Sequence, residues 1–412
     1  MAAPRVDAAR LRDDFEALSK AGATSEGGVN RPAFSDAHFA ARRWFLACAA
    51  AAGLETSVDG AGNHSAILRS PRAEAGRTLL LGSHLDSVPA GGRFDGALGV
   101  VAALEVLRAV RDAGLELPVH LEAVDFTDEE GTLVGLLGSE AVAGILDPKA
   151  LRSPRGGLEA LQEGMARAGL TEESVLGARR DPAPLAGYLE LHIEQGPRLE
   201  RAGAQIGVVT GIVGSRSFRL AFEGQANHAG TTPMKERRDA GAGAASFLLG
   251  VREIAMGNFP GAVATVGQVR LEPGAFNVVP GRAEVGLEFR SLDPEELEEM
   301  ESALLGRARE DAERFELGLA VEPVARWEPT PLDPGAQAAL ARAADSLGLS
   351  HVALASGAGH DAQALARVCP SGMVFVPSVG GVSHDPRELT RWYDCENGAN
   401  VLLLAAIDLA GV

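Results

Sequence analysis

The sequence predicts an α/β protein: a larger domain with a mixed sheet, into which a smaller α+β domain is inserted. Three observations predict it. A β-α-β order runs from Thr78 to the acidic cluster ending at Glu130. A split βαβ rhythm, β-α-β-β-α-β, occupies about 215–325. Beyond it the chain returns to helices near 335–348 and 396–410 around the apolar strand GMVFVPS. The 412 residues suit two domains at roughly 100–200 residues each. The division is 1–212, 213–327 and 328–412, the middle piece being the insert.

The elements follow in order. Ser35 stands where it can cap a helix running to Gly53. Short apolar runs come next, SAILR and then TLLLGSHLD from Thr78 to Asp86. In FDGALGVVAALEVLRAVRDAG the apolar positions 98, 101, 104 and 107, with 100 and 110, predict a helix buried on one face. PVHLEAVDFTDEEG reads as a strand that ends in acids. Residues 149–187 are polar and rich in Gly and Pro, and predict surface helix and loop. YLELHIEQG, from Tyr188, is another core strand with a polar end. In the insert, SFRLAFEGQ alternates as a half-buried strand does. DAGAGAASFLLGVREIA and DPEELEEMESALLGRAREDAERF are its helices; AVATVGQVRLE, RAEVGLEFRSLD and LGLAVEPVA are its other strands.

Composition narrows the function. Hydrophobic residues are 46 % and charged residues 23 %, ordinary for a globular protein, and aromatics are only 5 %, so aliphatic side chains must fill the core. A net charge of −18 argues against a nucleic-acid binder, but leaves an anionic substrate open, because local charge in a cleft overrides the global sign. Cys48, Cys369 and Cys395 give neither a disulfide framework nor CxxC spacing. The N-terminus lacks the apolar core of a signal segment, and no run of 18 apolar residues is present. The expectation is a cytoplasmic protein with reduced thiols and no membrane or nucleic-acid partner.

Three histidines share one setting, an apolar strand that ends in metal-competent side chains. They are GSHLDSV (His84, Asp86), LHIEQG (His192, Glu194) and GGVSHDPRE (His384, Asp385, Glu388). GGRFDGALG (Asp95) and DFTDEEG (Asp128, Glu129, Glu130) add acids. Imidazoles with carboxylates and no thiolate suit a catalytic first-row cation. Each motif alone has an ordinary structural explanation; their order along one chain is what points to a site.

With NHAGTTPM, these motifs resemble the amidase, hydantoinase/carbamoylase family of binuclear metallohydrolases, over about residues 10–410. The family includes N-carbamoyl-L-amino-acid hydrolases, allantoate amidohydrolases and β-ureidopropionases. The resemblance implies a metallo-aminopeptidase-like catalytic domain and a lid or dimerisation insert. It implies that His84, Asp95, Glu130, His192 and His384 hold two divalent ions, Zn²⁺ by default and Mn²⁺, Co²⁺ or Ni²⁺ as others that suit. Asp95 would bridge them, and Asp86 would orient His84. Glu129 would be the general base and acid. His228 would reach a partner subunit's site in a homodimer and stabilise an oxyanion. Gln195, Arg216, Asn277, Arg290 and Gly359 would contact a small ureido or amide substrate through its carboxylate and backbone, while His360 and Asp361 would hold their loop.

The leading expectation is hydrolysis of an N-carbamoyl-L-amino acid to the amino acid, CO₂ and ammonia. Allantoate and N-carbamoyl-β-alanine are alternatives. A dipeptidase or aminoacylase is disfavoured, because those relatives generally use an acidic ligand where His192 stands. A binding protein without catalysis is disfavoured by the intact Glu129. One departure bears on the substrate pocket: Thr132-Leu133-Val134 replaces the SRF that many relatives carry after the acidic pair.

Overall fold

Three successive apolar runs supply the centre of the fold. In the computed structural model, which describes residues 4–411, Thr78–His84, His120–Phe126 and Leu185–Ile193 become neighbouring parallel strands. Ser371–Val376 joins them, parallel to Leu185–Ile193. They form the middle of a nine-stranded sheet. The spatial order is Glu55–Val58, His64–Leu68, His120–Phe126, Thr78–His84, Leu185–Ile193, Ser371–Val376, Ile206–Ile212 and Thr330–Pro331, with His351–Ser356 also against Ile206–Ile212. The flanking pairings are antiparallel, so the sheet is mixed. Strands covered on both faces read as continuous apolar runs, which is why Leu79, Leu80 and Leu81 are all buried.

The chain forms two units. One holds the chain up to Thr210 together with the chain from Leu332 on; the other is Gly211–Pro331. In the first, the helix Ala97–Asp112 is buried from Ala97 through Val110, more than the one face its periodicity predicts. The cause is a second layer: Ala8–Leu18 and Trp392–Leu409 pack onto it. Its buried Glu105 is satisfied by the Arg10 Nε–H at 2.7 Å and the Asp7 main-chain N–H at 2.8 Å. Segment 149–187 forms the expected surface helices and loops, with one addition. The helices Pro148–Arg152, Leu158–Ala168 and Glu172–Leu176 bury Leu151, Leu161, Met165 and Val175 with Phe34 and Leu133 in a small core of their own.

The second unit is a four-stranded antiparallel sheet in the order Gly318–Trp327, Gly214–Glu223, Arg282–Ser291, Val263–Glu272. Helices Ala240–Asn258 and Pro294–Arg314 cover one face. Burial alternates strictly along Arg282–Ser291, and Val285, Leu287 and Phe289 meet Phe247, Leu297 and Met300 from the helices. Both helices start on an aspartate cap, Asp239 and Asp293. Among the described residues, no helix is long and apolar enough to cross a membrane.

Candidate metal centre

Parallel strands put their carboxyl ends on one edge of a sheet, and sites gather there. His84 ends its strand, His192 lies one residue before the end of its own, and the Asp128–Glu130 turn follows Phe126. The loop after Val376 brings His384. Two donor groups result, His84–Asp95–His192 and Asp95–Glu130–His384, each with its ligand atoms within 4.8 Å of one another. Asp95 divides its oxygens between them. Oδ1 lies 3.0 Å from His192 Nε2 and 3.6 Å from His84 Nε2, whereas Oδ2 lies 3.3 Å from His384 Nε2. His384 Nε2 is also 3.4 Å from Glu130 Oε2. Tetrahedral bonds of roughly 2.0–2.1 Å place ligand atoms about 3.3 Å apart, so both groups have the spacing of a metal shell.

The ring nitrogens are oriented for that role. His192 Nδ1 is 2.9 Å from the Ile193 carbonyl and His84 Nδ1 is 3.1 Å from the Asp86 carbonyl. With the proton on Nδ1, each Nε2 lone pair faces the carboxylates. Burial lowers His84 to about 4, so its ring is neutral at ordinary pH. Burial also opposes charge on His192, but Asp95 outweighs it and lifts that ring to about 9, a shift that lasts only while Asp95's charge is uncompensated. The acids crowd. Burial, then Asp361 and Glu130, push Glu129 well above the usual carboxylate range, and burial, then Asp95 and Asp86, do the same to Glu130. A pocket this rich in buried carboxylate is one that divalent cations relieve. Glu129 belongs to neither group; its Oε2 stands 3.4 Å from His84 Nε2, beside the donors.

The scaffold under these groups is polar. Asp86 is expected to orient His84 and does so through its carbonyl, its carboxylate standing farther off at 3.7 Å from His84 Nδ1. The carboxylate accepts instead from the main-chain N–H of Glu129 and of Glu130, each at 3.2 Å. The acidic pair thus rests on Asp86. Gln195 is nearer the donors than a substrate contact need be, since its Nε2 donates to Asp95 Oδ2 at 2.7 Å. Its buried Oε1 has no protein partner. Asp128, Gln195 and His384 all have left-handed φ, 53°, 58° and 55°, a strain that gathers at working sites. Glu388, in the His384 motif but given no role from sequence, accepts the Phe94 and Asp95 main-chain N–H groups at 2.9 and 3.1 Å. The signal for it was a buried-position acid four residues after His384; nothing local said what it would bind.

The Thr132-Leu133-Val134 departure has a structural explanation. The Asp128 carboxylate accepts the N–H groups of Leu133, Val134 and Gly135 and the Thr132 hydroxyl. On the other side the Arg155 Nε–H donates to the Val134 carbonyl at 2.9 Å, and the Gly156 N–H to the Leu133 carbonyl at 3.0 Å. Leu133 is buried in the small core beside Phe34 and Leu137, away from the donors. Gly359 precedes His360, whose Nε2 is 2.8 Å from Ser356 Oγ and whose ring packs edge-on against His192 at 4.5 Å. Glu190, His192 and His360 also lie within ligand distance of one another, but His360 is engaged by Ser356.

The remaining candidates lie in the second unit. His228 pairs with Val278 in a two-residue ladder, and the Ala229 N–H donates to the Asn277 carbonyl at 2.9 Å, so His228 and Asn277 are neighbours. Arg290 is ion-paired to Glu288 on its own strand at 2.8 Å. Arg216 is 1 % exposed, donates to the Trp327 carbonyl at 2.9 Å and pairs with Glu328 at 3.0 Å. Its charge thus has a partner within the chain, while its buried Nε has no hydrogen-bond partner among the described residues.

Comparison with known proteins places these features in context. The model of peptidase family M20/M25/M40 matches residues 80–408. The chain is 39 % identical to an N-carbamoyl-L-amino acid amidohydrolase of Geobacillus stearothermophilus over 97 % of its own length and 98 % of that protein's. It is 33 % identical to an allantoate amidohydrolase of Bacillus subtilis, over 95 % of each. A solved amidase of the hydantoinase/carbamoylase family from Burkholderia multivorans superposes with a TM-score of 0.91 at 38 % identity, covering 98 % of each chain.

Proposed function

We propose that this chain, which belongs to peptidase family M20/M25/M40 and is a hydrolase of the hydantoinase/carbamoylase type, cleaves the ureido C–N bond of N-carbamoyl-L-amino acids. The observation that carries the proposal is Asp95 shared between two donor groups with Glu129 standing beside them. Names of relatives at 36–39 % identity support the substrate class. His84, Asp95 and His192 would hold one divalent ion, and Asp95, Glu130 and His384 a second. When bound, these ions supply the positive field that polarises a carbonyl and acidifies water. Zn²⁺ is the default for this donor set; Mn²⁺, Co²⁺ and Ni²⁺ suit it too.

The rest is work for the chain's own residues. Glu129, beside the donors with its Oε2 3.4 Å from His84 Nε2, takes the proton of the attacking water on a carboxylate oxygen. It then passes that proton to the departing nitrogen. Asp86 keeps the Glu129 main chain in place. Gln195 Oε1 has a free acceptor for an N–H of the ureido group. Gly359 contacts the substrate through its backbone; within 4 Å an added Cβ there would meet only Gln363, at 3.6 Å. Asn277 and the Arg290 fork take the substrate carboxylate, and His228 steadies the oxyanion from a partner subunit.

A homodimer is part of this proposal, with the insert acting as lid and dimerisation domain. The edge strand Val263–Glu272, with Val263, Val269 and Leu271 exposed, and Leu249 and Met256 on the neighbouring helix support it. Free Cys48, Cys369 and Cys395 fit a cytoplasmic setting. Allantoate is the second substrate, favoured by the 33 % identity to the Bacillus subtilis relative.

Ammonia release from N-carbamoyl-L-amino acids, N-carbamoyl-β-alanine and allantoate, assayed on ion-loaded protein, tests the proposal. Glu129→Gln should lose activity by about 10²–10⁴-fold while keeping its ions. Activity on none of the three, with ions bound, would overturn the substrate assignment. Undiminished activity in the variant would overturn the role of Glu129.

A further inference from the structure

We propose that Glu388 is a positioning residue that ties the two donor groups together by holding the Asp95 main chain and the His384 turn at once. The inference rests on the ion-binding role given above to Asp95 and His384. Glu388 is 4 % exposed. Its Oε1 accepts the N–H of Phe94 at 2.9 Å and of Asp95 at 3.1 Å. Its Oε2 accepts the Ser383 hydroxyl at 2.8 Å, and the same hydroxyl lies 3.2 Å from Asp95 Oδ2. The Glu388 N–H donates to the Asp385 carbonyl at 2.9 Å, closing the turn that directly follows His384.

The fold makes room for this carboxylate. A Cβ on Gly92 would stand 2.0 Å from Glu388 Oε1 and 2.1 Å from its carboxyl carbon. No side chain larger than hydrogen fits there while Glu388 is seated. Three donors occupy the carboxylate, and Glu388 is in none of the donor groups. It therefore acts on the ions only through Asp95 and His384. Burying a carboxylate beside Asp95 costs energy: burial, then Asp95, raises its pKa. That cost is met by the three hydrogen bonds, and what the molecule gains is a fixed register between segments far apart in the chain. Partners of this kind typically change ion affinity by about 10–100-fold.

Two measurements test it: calorimetric titration of Zn²⁺ into ion-free protein, and hydrogen exchange at the Phe94 and Asp95 amides. Glu388→Ala and Gly92→Ala should each weaken Zn²⁺ binding by about 10–100-fold and expose both amides. Glu388→Gln keeps a carbonyl oxygen for the two N–H groups and should stay within about threefold of the wild type. Combining Gly92→Ala with Glu388→Ala should add little to either alone, because the methyl has already displaced the carboxylate. Folded variants with wild-type affinity and protected amides would overturn the proposal. A Gln variant as impaired as the Ala variant would overturn it too, by making the charge rather than the hydrogen bonds responsible. If Glu388→Ala does not fold, Gly92→Ala and Ser383→Ala decide. If the wild type takes up no ion, the ion assignment fails, and amide exposure alone decides the positioning role.

Discussion

Replacing Gly96 by alanine should loosen the ion site without unfolding the protein. Gly96 has φ 62° and ψ −49°, at the start of the helix that follows Asp95. A Cβ there would stand 2.4 Å from His84 Cε1 and 2.5 Å from each ring nitrogen. Carbon atoms in contact stay about 3.5 Å apart, so the ring or the helix start must retreat by about 1 Å. The backbone itself costs about 1–3 kcal/mol for an L residue at this φ. That lowers the melting temperature by a few degrees. Displacing a ligand ring by about 1 Å is the larger effect, worth about 10²-fold in turnover, with ion affinity falling by about 10–100-fold. Chelator competition measures the affinity, and ammonia release the turnover. Gly169→Ala is the control: it has φ 72° and ψ 23°, with nothing within 4 Å of its Cβ. It should pay the backbone strain and keep its ions. A folded Gly96→Ala protein that binds Zn²⁺ as tightly as the control would overturn this account.

Three further outcomes are expected. Burial lifts the Glu140 carboxyl from 4.5 to about 7 against the pull of Arg155. The unfolded chain releases that proton first, so stability is intact below pH 4.5 and falls as pH rises toward 7. Glu140→Gln should therefore gain roughly 1–3 kcal/mol over the wild type at pH 8 and nothing near pH 4.5; equal shifts in thermal melts at both values would contradict this. Arg216→Met should cost roughly 2–4 kcal/mol of stability, since its partner Glu328 is half-exposed and softens the loss, with KM nearly unchanged. Arg290→Met should raise KM by about 10-fold or more and melt normally; the reverse pattern would make Arg216 the substrate contact.

The sequence carried the donors because each sits at a strand end, where periodicity stops and chemistry begins. His84, His192 and the Asp128–Glu130 turn are legible for that reason, and the structure groups the other four named donors around Asp95. The insert was legible because its strands alternate and its helices begin on aspartates. What stayed hidden depends on partners distant in sequence. Glu388 bonds a main chain 293 positions away, and no spacing rule reaches that far. Asp86 holds His84 as expected, through its carbonyl, but nothing local showed that its carboxylate would turn to Glu129 and Glu130. Arg216, the weaker candidate for the substrate's anion, meets an anion of the chain itself in Glu328, which lies outside its motif. The helix Ala97–Asp112 read as buried on one face because the second layer over it comes from both ends of the chain.

The turn from Gly131 to Gly135 is gripped by its main chain, with Asp128 on the amide side and Arg155 with Gly156 on the carbonyl side. Such a grip does not register most side chains. Of the three side chains only the Thr132 hydroxyl joins that grip, while Leu133 and Val134 pack with the small core. This stretch behaves as an exchangeable cartridge: relatives can carry serine, arginine and an aromatic where this chain carries Thr132, Leu133 and Val134, without rebuilding the acidic pair beside it. For engineering, it is the place to transplant a relative's residues first.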